Sequence, residues 1–173
     1  MKIGALALCG LLALVAAAVL VAPALSGGGP LSPELREIRS AVARYHSFAQ
    51  AEADGYTVEN EPCIASPAGT MGIHAINLAL MADDAIDAGR PEILLYVPKG
   101  NGKLELVGIE YWKADADQSL ATNGDRPSLF GRAFDGPMPG HSPVMPAHYD
   151  MHVWVAEANP SGVFALFNPA VAC

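Results

Sequence analysis

Between Phe134 and Val155 the chain reads FDGPMPGHSPVMPAHYDMHVWV, a stretch with three of the five histidines, three of the six methionines and four prolines. Imidazole is the commonest metal ligand among side chains and titrates near neutral pH, so chemistry is sought here first. His148-Tyr149-Asp150-Met151-His152-Val153-Trp154-Val155 reads as a strand from its aromatic and β-branched end, and period two puts His148, Asp150, His152 and Trp154 on one face. Alternate residues on a strand stand about 6.6 Å apart, near enough to converge on one ion. His148 and His152 are twice as far apart. A straight strand therefore offers Asp150 with His152, and His148 joins only from a loop that bends toward the site.

Two residues elsewhere extend this set. His74 and Asn77 are the polar members of the small, apolar segment Met71-Gly72-Ile73-His74-Ala75-Ile76-Asn77, where a polar side chain needs a partner. In Leu104 to Trp112, strict alternation places Leu104, Leu106, Gly108, Glu110 and Trp112 on one face, so Glu110 stands among leucines and a tryptophan. A carboxylate there must be paired, bound to a metal or held with a raised pKa. His74, Glu110, His148 and His152 form a mixed nitrogen and oxygen set of the kind used by zinc, iron or copper, with Asp150 nearby. If the ion does catalysis it activates water or polarises an oxygen, with Glu110 or Asp150 as general base. The competing reading is a hydrogen-bonded ladder of His148, Asp150 and His152 without metal. Met138, His141, Met145, His148, Met151 and His152 also interleave, a thioether and imidazole mixture that suits copper(I); the plainer alternative makes the methionines adaptable apolar caps.

Other chemistries are not supported. The chain has no nucleotide-binding loop, nucleophile elbow, cysteine-pair zinc motif or helical His-x-x-x-His. Its serines adjoining histidine, Ser47 and Ser142, sit in poor contexts for a nucleophile. Asp115-x-Asp117 is too short a signal for calcium. A metal-free alternative is a small-molecule module, its pocket lined by Trp112, Trp154, Phe134, Tyr111 and Leu106, with Asn77, His141 and the other histidines as polar contacts.

Residues 1–24 read as a signal peptide: Lys2, an apolar run from Ile3 to Ala22, and small residues at Ala22-Pro23-Ala24. An uncleaved anchor is the alternative, since about 20 apolar residues can span a bilayer. Cleavage leaves 149 of 173 residues, one domain's worth, with Gly27-Gly28-Gly29-Pro30 in a flexible leader over 25–33 and the domain over 34–173. Nine of the ten basic residues then face 18 acidic ones, with no basic cluster, which argues against nucleic acid or an anionic membrane as partner. The expected partners are a metal ion or a small molecule, in a secreted or periplasmic protein. Once Cys9 is removed, Cys63 and Cys173 are an even pair in an oxidising compartment, most simply a disulfide. Two free thiols acting as soft metal ligands are the alternative.

Along the chain, Ser32-Pro33-Glu34 starts a helix whose apolar face runs through Leu35, Ile38, Val42, Tyr45 and Ala49 to about Ala53, with Gly55 closing it. Tyr56 to Glu59 is expected as a short strand, Leu78 to Ala88 as a helix, and Glu92 to Val97 and Leu104 to Trp112 as a hairpin across Asn101-Gly102. Lys113 to Ser128 reads as surface loop. A last hairpin turns at Asn159-Pro160-Ser161-Gly162 and returns through Val163 to Phe167. The resulting fold class is α+β, an N-terminal helix packed on a bent, mostly antiparallel sheet or half-barrel.

The motifs Met71-Gly-x-His74-x-x-Asn77, Pro91-Glu-x-Leu-Leu-Tyr96, Val107-Gly-x-Glu110-Tyr111, Phe134-Asp-Gly-Pro-Met-Pro-Gly-His141, His148-Tyr-Asp-x-His152-x-Trp154 and Asn159-Pro-Ser-Gly162 resemble a family of small secreted microbial proteins of uncharacterised function. The resemblance covers most of the mature chain. It implies export and one compact domain, and carries no activity or site residues with it.

Overall fold

The computed structural model describes residues 30–58, 62–141 and 145–173. The leader over 1–24, the glycines 27–29, Glu59, Ser142 and Pro143 lie outside the described residues. Helix α1 (Pro33–Val42) starts as its sequence dictates: the Ser32 hydroxyl accepts the Leu35 N–H at 3.2 Å, proline opens the first turn and Glu34 faces the positive helix end. Leu35, Ile38 and Val42 are its buried stripe.

The helix does not run unbroken to Ala53. A 3₁₀ turn over Ala43–His46 follows, and α2 (Phe48–Ala53) restarts after Ser47. The cause is a competing donor. The Tyr96 hydroxyl bonds the Tyr45 carbonyl at 2.6 Å, while Ser47 N–H turns back to the Arg44 carbonyl. Gly55, at φ 96°, closes α2 in the left-handed conformation that glycine adopts without strain.

Six strands form one antiparallel sheet curled into a half-barrel, in the order β1-β2-β3-β4-β8-β7. They are β1 (Ile64–Ser66), β2 (Gly69–Ile76), β3 (Ile93–Pro98), β4 (Leu104–Ala114), β7 (Asp135–Met138) and β8 (His148–Val153). A two-stranded ribbon, β5 (Ser128–Leu129) and β6 (Arg132–Ala133), lies outside it. The β3–β4 hairpin turns at Asn101-Gly102 as expected, with Gly102 at φ 75°. The fold is thus α+β.

One side of the sheet packs on the helices: Leu35, Ile38, Val42, Tyr45, Tyr96, Leu106, Ile109, Tyr111, Phe134, Tyr149, Met151 and Val153 share this core. The other side carries Ile93, Leu95, Val97, Val107, Trp112 and Trp154. Strict alternation along β4 fails at one place. Leu95 pairs with Gly108 but Tyr96 with Leu106, so Val107 is an extra residue in a bulge. Leu104 and Leu106 therefore join the helix side, and Glu110 shares its face with Val107 and Trp112 instead.

Three further expectations are corrected. Among the described residues of the expected first strand, only Thr57 pairs, in an isolated bridge to Ile76. Helix α3 (Leu78–Ala82) stops well before Ala88, because the Asp83 carboxylate turns back to the Ala85 N–H at 2.9 Å and Asp84 takes φ 58°. The turn at Asn159–Gly162 forms, but Val163 to Phe167 is no strand. Its carbonyls go to side chains and single amides: Val163 to the Trp154 N–H, Ala165 to the Trp154 indole, Phe167 to the Asn159 amide.

Cys63 and Cys173 are joined in a disulfide across a sequence separation of 110. A closure of that length is worth about 5 kcal/mol in the chain-entropy model. We expect Cys63→Ser with Cys173→Ser to lose about that much stability in guanidinium titration, with the sheet's far-ultraviolet signature retained.

Candidate metal centre

Three strands each supply one side chain to the helix-free side of the sheet: His74 from β2, Glu110 from β4 and His152 from β8. Glu110 and His152 are direct cross-strand partners, and Ile93 of β3 faces Glu110 from the other side. His74 pairs with Leu95, two residues along β3 from Ile93, and so reaches Glu110 diagonally.

The Glu110 Oε2 lies 3.2 Å from His74 Nε2 and 3.5 Å from His152 Nε2. The two imidazoles are nearly perpendicular, at 83°, with ring centres 6.3 Å apart. Among the described residues, this is the trio whose ligand atoms all lie within 4.8 Å of one another. Ligands about 2.1 Å from a tetrahedral or octahedral ion stand about 3.0–3.4 Å from each other, so the trio needs little movement to close on zinc or iron. Two histidines with one carboxylate leave coordination positions open. A buried His/Glu/His group able to hold a metal ion is therefore present.

The electrostatics suit a cation. Burial pushes the Glu110 carboxyl upward, but His152 and His74 beside it, with His148 beyond, outweigh burial and hold it down at about 2. His152 is 3 % exposed and its pKa is lowered by burial, so its imidazole is neutral at pH 7 with a lone pair to offer. Neither of its nitrogens makes a hydrogen bond. A buried polar ring in that state is costly unless something binds it.

Asp150 stands behind His152, its Oδ1 3.9 Å from His152 Nδ1. Burial, then the charges of Glu110 and Asp135, raise the Asp150 carboxyl well above the usual carboxylate range. At 3.9 Å the carboxyl faces the ring without a hydrogen bond to it.

The other candidates are placed differently. His148 lies on the same face of β8 but outside the trio, stacked on Trp112 with ring centres 5.7 Å apart and edge-on to His141 at 5.0 Å. Its Nδ1 is 3.1 Å from the Pro146 carbonyl, and burial lowers its pKa. His141 is exposed. Of the methionines, Met138 is the cross-strand partner of His148 and Met145 sulfur accepts the His141 N–H at 3.5 Å, whereas Met151 points into the helix-side core. Asn77 is occupied as the cap of α3: its Oδ1 accepts from Ala79 and Leu80, and its amide donates to the Asp54 carbonyl.

The aromatic residues expected to share a pocket are divided by the sheet, with Trp112 and Trp154 on one side and Leu106, Tyr111 and Phe134 on the other. The Trp154 indole donates to the Ala165 carbonyl. A cleft of about 660 Å³ runs past Leu31, Arg39, Trp154 and Asn159 and includes none of the trio.

Sequence reasoning passed over Glu92 and Asp135. Glu92 is 1 % exposed, accepts the Trp112 N–H at 3.0 Å and is raised to about 7 chiefly by burial. Nothing local marks it: a glutamate after proline at the head of a strand reads as surface. Asp135 could have been found only from its register opposite Asp150. Among the described residues no helix is long and apolar enough to cross a membrane. Comparison with family models, with curated proteins and with solved structures finds no match to this chain.

Proposed function

We propose that this is an exported metalloprotein that holds one zinc, iron or copper ion on His74, Glu110 and His152. The observation that carries the reading is the convergence of these three side chains from three strands around an ionised, buried carboxylate. The apolar leader, the cysteine pair and the resemblance to small secreted microbial proteins support export.

The ion supplies a Lewis acid or a redox centre with open positions. Glu110 lies against both imidazoles and serves as ligand. Asp150 is then the carboxyl group left to hold or release a proton beside the site, which makes it the general acid or base of any reaction run there. His148, stacked on Trp112 and edge-on to the exposed His141, lies beside the centre. The Met138 and Met145 placements next to His148 and His141 keep copper in contention with zinc and iron.

The test is elemental analysis of protein purified from its exported fraction without chelator, beside a His74→Ala, His152→Ala double variant. About one ion per chain in the wild type and none in the folded variant is the expected result. Wild type that stays metal-free after incubation with each ion overturns the proposal and leaves a small-molecule module as the reading to pursue.

A further inference from the structure

An asparagine loses its side-chain amide when the backbone nitrogen of the next residue reaches its Cγ, so the asparagines of this chain differ by whether that nitrogen is available. Asn159 and Asn168 precede proline, which has no N–H to give up. Asn77 is 6 % exposed, and its side chain is held by Ala79, Leu80 and the Asp54 carbonyl. Asn60 lies outside the described residues. Asn101-Gly102 and Asn123-Gly124 remain, both with an attacking nitrogen that no Cβ shields.

The two pairs stand differently in their turns. In the β3–β4 hairpin, Gly102 N–H donates to the Lys99 carbonyl at 3.0 Å and Asn101 Oδ1 accepts the Lys103 N–H at 3.1 Å. Nucleophile and electrophile are both tied. In the loop after β4, the Asn123 carbonyl closes a turn by accepting the Arg126 N–H at 3.3 Å, which puts Gly124 at the second position, whose N–H the turn does not use. Among the described residues neither that N–H nor the Asn123 side chain makes a hydrogen bond, and both residues are exposed.

We propose that Asn123 is a deamidation site, modified well ahead of Asn101. The Gly124 nitrogen attacks the Asn123 Cγ, the new N–Cγ bond replaces the bond from Cγ to the amide nitrogen, and the departing amide takes the Gly124 proton to leave as ammonia. Water then opens the five-membered imide at either carbonyl, giving aspartate or isoaspartate. The product carboxylate joins a loop that already holds Asp115, Asp117 and Asp125, and isoaspartate also lengthens the backbone of the turn. The same loop grips the residue before β8: Asp115 N–H bonds the Ala147 carbonyl at 2.9 Å, and the Gln118 side chain bonds the Ala147 N–H at 2.8 Å and its carbonyl at 3.0 Å. Asp125 accepts the Tyr149 hydroxyl at 2.8 Å. The modification therefore falls in the clasp at the start of the strand that carries His148, Asp150 and His152.

The experiment ages full-length wild type at mildly alkaline pH and maps its peptides by mass spectrometry, with isoaspartate counted by enzymatic methylation. Asn123 should outrun Asn101 by about tenfold or more, since ring closure at Asn101 must first break two hydrogen bonds. In denaturant the two rates should converge, because the difference lies in the fold. Gly124→Ala, whose added methyl meets no atom within 4 Å and needs no positive φ, should fold normally and suppress the reaction at Asn123. Equal rates at the two sites in the folded protein, a gap that persists in denaturant, or a Gly124→Ala rate matching wild type overturns the proposal.

Discussion

Glu110→Gln is expected to abolish stable metal binding while leaving the fold standing. The amide keeps the size of the side chain and an oxygen for His74, but it has no charge for a cation and lowers the cost of burial. With the carboxylate gone, two imidazoles face the ion alone. The loss of affinity should exceed the roughly 10–100-fold that outer-shell changes around metal sites produce, which is the range expected for Asp150→Asn. Competition with a chelator of known affinity measures both variants. The metal-free stability of Glu110→Gln should stay within about 2 kcal/mol of the wild type. Retention of the ion by Glu110→Gln with unchanged affinity would remove Glu110 from the ligand set.

A second large effect concerns Glu92, which the ligand set leaves aside. Its carboxyl is raised from 4.5 to about 7 in the folded chain, first by burial, against the Trp112 N–H that favours its ionised form. Below pH 4.5 both folded and unfolded chains hold this proton, so stability is unaffected. Above it the unfolded chain gives the proton up while the folded chain keeps it, so stability falls as pH rises, until the folded carboxyl ionises near 7. The shift spans 7 − 4.5 = 2.5 pH units, worth about 3 kcal/mol. The bare wild-type profile does not isolate it, because the lowered pKa values of His148 and His152 act in the opposite sense below about 6.5. The difference between wild type and Glu92→Gln does. The metal-free variant should gain about 3 kcal/mol on the wild type between pH 4.5 and 7 in paired denaturant titrations. A constant difference across that range would mean that Glu92 titrates normally.

Much of the fold was legible where a local rule governs. Ser32, Pro33 and Glu34 specify a helix start through their own backbone geometry, and Asn101-Gly102 specifies a hairpin because glycine adopts positive φ without strain. The period-two reading of β8 places His148, Asp150 and His152 on one face, and all three lie together there. In two places where the reading failed, a distant group had competed with a local one. The Tyr96 hydroxyl, 51 residues away, takes the carbonyl that α1 needed to continue past Tyr45. Val107 is bulged out by its pairing with β3, which turns Leu106 to the helix side.

The candidate site divides along the same line. By itself the chain determined which residues were suspect: Glu110 among apolar neighbours, His74 in a small apolar segment, His152 on one strand face with Asp150, and two cysteines left to pair. Those are statements about residue type and burial, which composition and periodicity carry. Only the tertiary structure decided which of them meet. Strand order puts β4 beside β8, register sets Glu110 against His152, and the curl brings β2 round so that His74 completes the trio while His148 stays with Trp112. Coordination depends on separations of about 3 Å between side chains far apart in sequence. Those separations follow from the pairing of whole strands, which no local pattern encodes.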